Sequence, residues 1–185
     1  ASSSGTISIN DVVTGATNLK SFYSTNNRLP NTVTAGGHTF TLPEFLYLMS
    51  QAIYQIGNSN YNAISIRTGV SDPGAPSGST INADLYKSDY VTVAKNVANF
   101  INTNNRAPNY ASSALGNIIY SELVDSFSRI LAFYGTNSRL PDYVRVSYTA
   151  VNTGGSSISI TGTGLNEAAG TILDAYYKAS TNCQV

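Results

Sequence analysis

The sequence predicts a predominantly helical α+β fold in which helices alternate with short β elements in tandem repeats. Apolar residues recur at helical spacing along the chain, and one short motif occurs three times. The chain has 185 residues and a hydrophobic fraction of 42%, enough for one domain with a substantial core. We therefore treat residues 1–185 as a single domain, compact or elongated.

The recurring motif begins with Phe and ends with Arg-x-Pro. Its copies are Phe22-Tyr-Ser-Thr-Asn-Asn-Arg28-Leu-Pro30, Phe100-Ile-Asn-Thr-Asn-Asn-Arg106-Ala-Pro108 and Phe133-Tyr-Gly-Thr-Asn-Ser-Arg139-Leu-Pro141. Asn tolerates the left-handed conformation at a helix end, and the residue before proline avoids the helical region. Each copy therefore predicts a helix end followed by a sharp bend. We name Arg28–Pro30, Arg106–Pro108 and Arg139–Pro141 corners 1, 2 and 3.

Five helices are predicted, one before each corner, one after the first hairpin and one near 166–178. Thr41-Leu-Pro-Glu44 is a capping box that starts the second helix. Apolar side chains define the inward faces of these helices. They are Val12, Ala16, Leu19 and Tyr23; Leu42, Phe45, Met49, Ala52, Ile53 and Ile56; Tyr90, Ala94, Val97 and Ile101; Leu123, Phe127, Ile130, Leu131 and Tyr134; and Ala169, Ile172, Leu173 and Tyr176.

The β elements are predicted between the helices. Val33–Phe40, with Gly36-Gly37 at its centre, predicts a short hairpin. Tyr143–Tyr148 and Ser157–Thr161 predict a longer one, whereas in the second unit Tyr110–Gly116 replaces the hairpin. The repeat signatures then lie near 10–56, 88–116 and 120–148. An irregular connector at 57–84 lies between the first and second signatures and contains a predicted strand at Ile64–Arg67.

The composition excludes some classes of function. Ten basic residues balance ten acidic ones, and only 11% of residues are charged, against roughly 25% in an average domain. We expect no nucleic-acid partner, because phosphates require a basic face, and no run of apolar residues is long enough to span a membrane. Ser, Thr and Asn with 13 Tyr form a surface suited to sugars and peptides. The Ser-rich opening resembles that of a secreted chain whose leader has been removed.

No catalytic or metal-binding group is predicted. The single His and single Cys, His38 and Cys183, lie in a predicted hairpin and near the chain end, so they do not form a nucleophile pair. Zinc needs several such ligands. Glu44 and Glu122 resemble paired carboxylates but are better explained as helix-start residues. We expect a non-enzyme without cofactors.

The repeated segments resemble a known family. The helix, the Asn-Asn-Arg-Leu-Pro-Asn31 segment, the Gly-Gly hairpin and Thr41-Leu-Pro-Glu-Phe-Leu-Tyr-Leu48 resemble the pseudomurein-binding repeat of methanogenic archaea. The segments starting at Arg106 and Arg139 are similar to the same family, and the resemblance covers most of the chain. Thr32 departs from Tyr110 and Tyr143 of the other units, and Asp142 departs from Asn31 and Asn109.

The resemblance implies an extracellular wall-anchoring module of surface proteins or of the endoisopeptidases that cleave pseudomurein. Its partner would be that polymer, a glycan carrying acidic sugars cross-linked by peptides. An alternative is a structural surface-layer or adhesin segment that contacts other protein chains. The terminal helix resembles the start of another unit, so we expect a longer parent protein.

The candidate ligand-binding residues lie at and near the corners. Each arginine either hydrogen-bonds the last helix carbonyls or clamps a carboxylate of the wall, and both alternatives remain open here. We expect the corners to present matching groups along one accessible side, where weak contacts add by avidity. The candidates are Arg28, Asn31, Arg106, Asn109, Tyr110, Arg139, Asp142 and Tyr143, with Tyr47 and Tyr54 on an outward helix face.

Overall fold

A computed structural model of the protein describes residues 5–151. The helices make up nearly half of these residues, and the strands are short and antiparallel, which confirms the predicted α+β class. In chain order the elements are β1 (Thr6–Ile7), α1 (Ile9–Asn26), β2 (Thr32–Ala35), β3 (His38–Thr41), α2 (Leu42–Gly57), β4 (Ile64–Ser65), β5 (Ile81–Tyr86), α3 (Lys87–Asn104), β6 (Tyr110–Ser113), β7 (Gly116–Ile119), α4 (Tyr120–Asn137) and β8 (Tyr143–Tyr148).

The same order of elements occurs in both halves of the described chain. Each half consists of a strand, a helix, a hairpin, a second helix and a final strand. The hairpins are β2–β3 and β6–β7, and the first and last strands of each half pair as β1–β4 and β5–β8. The cross-strand pair Ile7–Ile64 corresponds to Leu85–Val144. All four residues are buried, so each strand pair adds apolar side chains to the core.

The helices of one half pack mainly against those of the other. Helix α1 lies against α4, and α2 lies against α3. Two glycines allow these close approaches: a Cβ atom on Gly135 would lie 2.8 Å from Cγ1 of Val13, and one on Gly57 would lie 2.9 Å from Cγ1 of Val91. Gly57 and Val13 precede Gly135 and Val91 by the same 78 residues that separate corners 1 and 2. The halves therefore share one hydrophobic core.

The helices that precede the three corners end as predicted. Asn27, Asn105 and Ser138 have φ angles of 54°, 54° and 57°, in the left-handed region. Their N–H groups donate 2.8 Å hydrogen bonds to the carbonyls of Tyr23, Ile101 and Tyr134. This single bond to the carbonyl four residues earlier is the αL helix end. Helix α2, which no Arg-x-Pro follows, ends at Gly57 with Asn58 at φ −109°.

The predicted capping box at the start of α2 is confirmed. The backbone N–H of Thr41 donates to Glu44 Oε1 at 2.9 Å, and the N–H of Glu44 donates to Thr41 Oγ1 at 3.4 Å. Glu44 Oε2 also accepts from the N–H of Gly69 at 2.7 Å. The capping carboxylate therefore holds the chain segment between the two halves as well.

The Gly-Gly hairpin is confirmed, but the prediction that Tyr110–Gly116 replaces it in the second half is wrong. Gly36 and Gly37 have φ angles of 56° and 80°, as a two-residue type I′ turn requires. The β6–β7 hairpin has the equivalent register, with Tyr110 opposite Ile119 as Thr32 is opposite Thr41. Its turn has Ala114-Leu115 in place of the Gly pair, and Ser113 Oγ braces it by accepting from the N–H of Leu115 and donating to the carbonyl of Gly116.

The β8 strand forms where predicted but pairs with a strand that the sequence did not reveal. Its partner is β5, whose first residues, Ile81–Asp84, fall inside the predicted irregular connector. The predicted short strand in that connector is present as β4. Ser157–Thr161, the helix near 166–178, Tyr176 and Cys183 lie outside the described residues. Within 5–151, no helix has the length and apolar character to cross a membrane.

Candidate functional site

Each corner arginine lies over the phenylalanine that begins its motif. The guanidinium carbon is 5.1 Å from the ring centroid for Arg28–Phe22, 5.0 Å for Arg106–Phe100 and 5.2 Å for Arg139–Phe133. Each Nη1 also donates to the carbonyl of the residue that follows the arginine, at 3.5, 3.3 and 3.3 Å. The three phenylalanines are half-buried, so each has one face toward the protein and one under the arginine.

These contacts differ from the predicted hydrogen bonds between each arginine and the last carbonyls of the preceding helix. The acceptor is the carbonyl inside the corner, beyond the helix end, and the capping N–H bonds a different carbonyl, that of Tyr23, Ile101 or Tyr134. Arg28 and Arg139 are exposed, whereas Arg106 is half-buried. Arg139 Nη1 also lies 3.6 Å from Asp142 Oδ1 in an exposed ion pair.

A groove lies beside corner 2, between α3 and β6. We call it groove 2; its volume is about 440 Å³. Phe100 and Arg106 form one end, and Tyr110, whose surface is 43% exposed, lines its side. The other lining residues are Asn96, Val97, Pro108, Asn109, Ala111 and Ser112.

A smaller groove occupies the equivalent place in the first half, between α1 and β2. This groove 1, of about 200 Å³, is lined by Asn18, Leu19, Phe22, Pro30, Thr32, Val33 and Thr34. Every one of these positions becomes a lining position of groove 2 on adding 78 residues. The substitution of Tyr110 by Thr32 removes the aromatic wall. The repeated sequence therefore builds a similar concave surface twice, with different volumes.

Groove 2 continues along α3 toward the start of that helix. A further depression of about 260 Å³ is lined by Asp89, Thr92, Val93, Ser112, Ser113 and Ala114. Ser112 lines both depressions. Since β6 runs back along α3, the two depressions form one track from Phe100 to Asp89, with aromatic residues at the corner 2 end and mostly small and polar ones toward Asp89.

The corresponding place at corner 3 is bridged by an arginine. Arg129 lies 33 residues after Asn96, on α4. Its Nη2 donates to the carbonyl of Arg145 on β8 at 2.8 Å and to Asp125 Oδ2 at 2.8 Å. This side chain therefore joins helix and strand where grooves 1 and 2 are open.

The three corners do not lie at the same end of the helices. The N–H of Lys87, at the start of α3, donates to the carbonyl of Asp142 at 2.9 Å, and the hydroxyl of Tyr90 donates to the carbonyl of Pro141. Corner 3 therefore lies at the start of α3 and corner 2 at its end, about 27 Å away for 18 residues. Gly135 contacts Val13, so corner 3 is also far from corner 1. A polymer that contacts corners 2 and 3 must lie along α3.

The asparagine candidates at the corners have backbone roles. The carbonyls of Asn31 and Asn109 accept from Leu42 and Tyr120, at the starts of the following helices. Asn109 Oδ1 also accepts from the N–H of Ala75 at 2.8 Å, which fixes the connector against corner 2. Asn31 is exposed.

The two tyrosines of α2 differ from each other and from the prediction. Tyr47 is 7% exposed and lies in the core, so its predicted outward position is wrong. The guanidinium carbon of Arg67 lies 5.9 Å from the centroid of its ring. Helix α2 is covered on both flanks, which its sequence periodicity did not reveal. Tyr54 is half-buried, with Lys95 Nζ 5.8 Å from its ring. Neither lines grooves 1 or 2.

Glu44 and Glu122 occupy equivalent helix starts rather than a paired-carboxylate site. Ile119 takes the place of the capping Thr41, so Glu122 has no side-chain cap to join. Glu122 Oε1 is buried without a hydrogen-bond partner. Burial raises the pKa of Glu122, and the nearby Asp125 carboxylate raises it further. Among residues 5–151, no three His, Cys, Asp or Glu side chains form a metal-binding cluster.

Several residues of the site were not among the candidates predicted from the sequence. The motif phenylalanines, Asn18 and Asn96 recur at the same spacings as the arginines, and that recurrence could have identified them. Tyr86 was missed because its strand was not predicted. Its ring lies across from that of Tyr143, with centroids 6.0 Å apart.

Comparison with known families identifies part of the chain. The model of the pseudomurein-binding repeat matches residues 81–113 and 114–146 in tandem. Residues 81–146 therefore match two tandem pseudomurein-binding repeats, and this stretch contains groove 2, corner 2 and corner 3. The matching family is described as a binding repeat and not as a catalytic domain. No curated protein matches the chain.

Proposed function

We propose that this chain is a non-catalytic module that binds the pseudomurein wall of an archaeal cell and anchors a larger surface protein or wall enzyme there. The match of residues 81–146 to the pseudomurein-binding repeat supports pseudomurein as the ligand. The observation that carries the proposal is the recurrence of one groove at equivalent positions of both halves. We also propose that the first half contains two further diverged repeats, because its element order is the same.

The chemistry of the grooves fits a polymer that carries sugars and peptides. Each groove combines an aromatic ring, a proline and an exposed helix asparagine, and groove 2 adds Tyr110 and the half-buried guanidinium of Arg106. These groove-lining residues offer apolar contact to sugar ring faces and hydrogen bonds to hydroxyls and amides. Groove 2 also presents a cation toward acidic groups.

Two shallow grooves on one chain suit a periodic ligand. Each alone offers limited contact, but a wall polymer repeats its epitope within reach of both. Binding at the first groove raises the effective concentration at the second, so the pair binds more tightly than either alone. Groove 2, the larger and more aromatic, contributes most of the affinity.

Cosedimentation with purified pseudomurein sacculi tests this function. We expect saturable binding of the chain, and weaker binding of Tyr110→Ala by about fivefold or more, the effect expected of an aromatic contact at a binding surface. Thr32→Ala, the matched change in groove 1, has a smaller effect because Thr32 offers no ring. No sugar or peptide is released during incubation.

The surface-layer or adhesin alternative predicts a different outcome. A segment that only contacts other protein chains would remain in the supernatant at every sacculus concentration. That result, with a cooperative melting transition showing that the chain is folded, would contradict wall binding.

A further inference from the structure

Tyr86 and Tyr143 form an exposed aromatic pair outside both grooves. They lie opposite each other at the ends of β5 and β8, with ring centroids 6.0 Å apart and planes inclined by 59°. Tyr86 is 58% exposed and Tyr143 is 52% exposed. A cross-strand contact accounts for the facing edges of the rings, but most of both side chains remains open to solvent.

We propose that Tyr86 and Tyr143 form a platform that binds an uncharged sugar ring of the wall glycan. This inference rests on the proposed wall-binding function and adds a third contact to grooves 1 and 2. Tyrosine rings offer flat apolar faces to the C–H faces of sugars, and their hydroxyls reach sugar oxygens. Two inclined rings present such faces with little conformational entropy to lose.

The charges around the platform favour a neutral ligand. Arg139 and Asp142, at the adjoining corner, form an ion pair at 3.6 Å. Lys87 and Asp89 follow Tyr86 within three residues and carry opposite charges. The platform therefore presents no net charge, whereas groove 2 carries Arg106. An acidic sugar or a charged peptide terminus gains no electrostatic attraction at the platform.

The position of the platform extends the track of groove 2. Tyr86 immediately precedes α3, whose first turn carries Asp89 at the far end of that track. An extended glycan lying along α3 from Phe100 therefore meets the platform at the other end of the helix. The first half has no counterpart, since Ser8 occupies the position equivalent to Tyr86 and caps α1.

Binding to intact sacculi and to the glycan strands that are released when their peptides are removed tests this inference. We expect wild type to bind both preparations. Tyr86→Ala and Tyr143→Ala should each raise the Kd for the released glycan strands at least about fivefold, while Tyr86→Phe and Tyr143→Phe keep it within about twofold because the ring remains. Tyr61→Ala is the matched control, since Tyr61 is 60% exposed and lines neither groove.

The outcomes separate this inference from the proposed function. If wild type fails to bind intact sacculi, the wall-binding function falls and the platform with it. If wild type binds but the alanine variants bind the released glycan strands equally well, or lose binding only on intact sacculi, the platform inference alone is overturned. Melting temperatures of the variants show whether any loss comes from unfolding.

Discussion

The corner arginines illustrate how one side chain can serve the fold and the site together. Arg106 covers the ring of Phe100, bonds the carbonyl of Ala107 and borders groove 2. The planar guanidinium suits all three contacts, whereas a lysine ammonium is a point charge that cannot stack flat. The arginine therefore shapes the groove by holding the phenylalanine, and its remaining N–H groups are available to a ligand.

This dual role predicts coupling between Arg106 and Phe100. Arg106→Lys should lower the free energy of unfolding by about 0.5–1 kcal/mol, the range for a cation–π contact at a partly exposed site. Phe100→Leu should remove the stacking partner of the arginine. The loss of unfolding free energy in the double variant should therefore be smaller than the sum of the losses in the two single variants. Urea unfolding of the four proteins measures this coupling. Fully additive losses would show that the stacking contributes nothing.

Glu122 predicts a specific dependence of stability on pH. Burial raises its pKa in the folded chain, so the ionised carboxylate is disfavoured there, and its contribution to stability falls as the pH rises through that pKa. Glu122→Gln should therefore melt higher than wild type near pH 7.5, and the difference should shrink toward pH 4.5.

The equivalent residue provides the control for this prediction. Glu44→Gln weakens the capping box and the bond to Gly69, so it should lower the melting temperature near pH 7.5. A lower melting temperature of Glu122→Gln at that pH would contradict the assignment of Glu122 as a carboxyl disfavoured by burial.

At the level of elements, local signals were predictable and long-range pairing was not. The left-handed helix ends, the capping box and the Gly-Gly turn each depend on residues within a few positions of one another. Strand β5 was missed because its partner β8 lies about sixty residues later and because Asn, Ala and Asp have low β propensity, although Ile81, Ala83 and Leu85 alternate with Asn82 and Asp84. The β6–β7 turn was missed because Ser113 replaces the expected glycine chemistry.

The packing of the two halves predicts that Gly135 is required for contact between α1 and α4. In Gly135→Ala the new Cβ would lie 2.8 Å from Val13 Cγ1. Overpacking typically costs about 1–3 kcal/mol, against a gain of up to about 1 kcal/mol in helix propensity. We expect a net loss of about 1 kcal/mol in chemical denaturation.

A second substitution tests the cause of that loss. Val13→Ala removes the methyl group that the new Cβ would strike, so in its presence Gly135→Ala should cost nothing or should stabilise. If Gly135→Ala costs the same with either residue at position 13, the close approach of the helices is not the reason for the glycine.

For the whole molecule, the candidate surface was predicted only in part. The corners and Tyr110 were identified because their motif recurs, but the concave surfaces depend on strands packing back along helices. Helix α4 runs antiparallel to α1 and α3, which separates corner 3 along the helices from corners 1 and 2. That the corners face one accessible side stays a prediction. The bridging of the third site by Arg129 likewise depends on a contact across 16 residues.

The central claim is that the wall polymer binds in the track between α3 and β6. Ser112 is exposed and lines both depressions of that track, so Ser112→Phe should fill its middle without disturbing the core. Ser112→Ala removes only a hydroxyl and serves as the matched control. We expect Ser112→Phe to raise the Kd on intact pseudomurein sacculi about tenfold or more at an unchanged melting temperature, and Ser112→Ala to bind nearly as wild type. Wild-type affinity of folded Ser112→Phe would contradict the account.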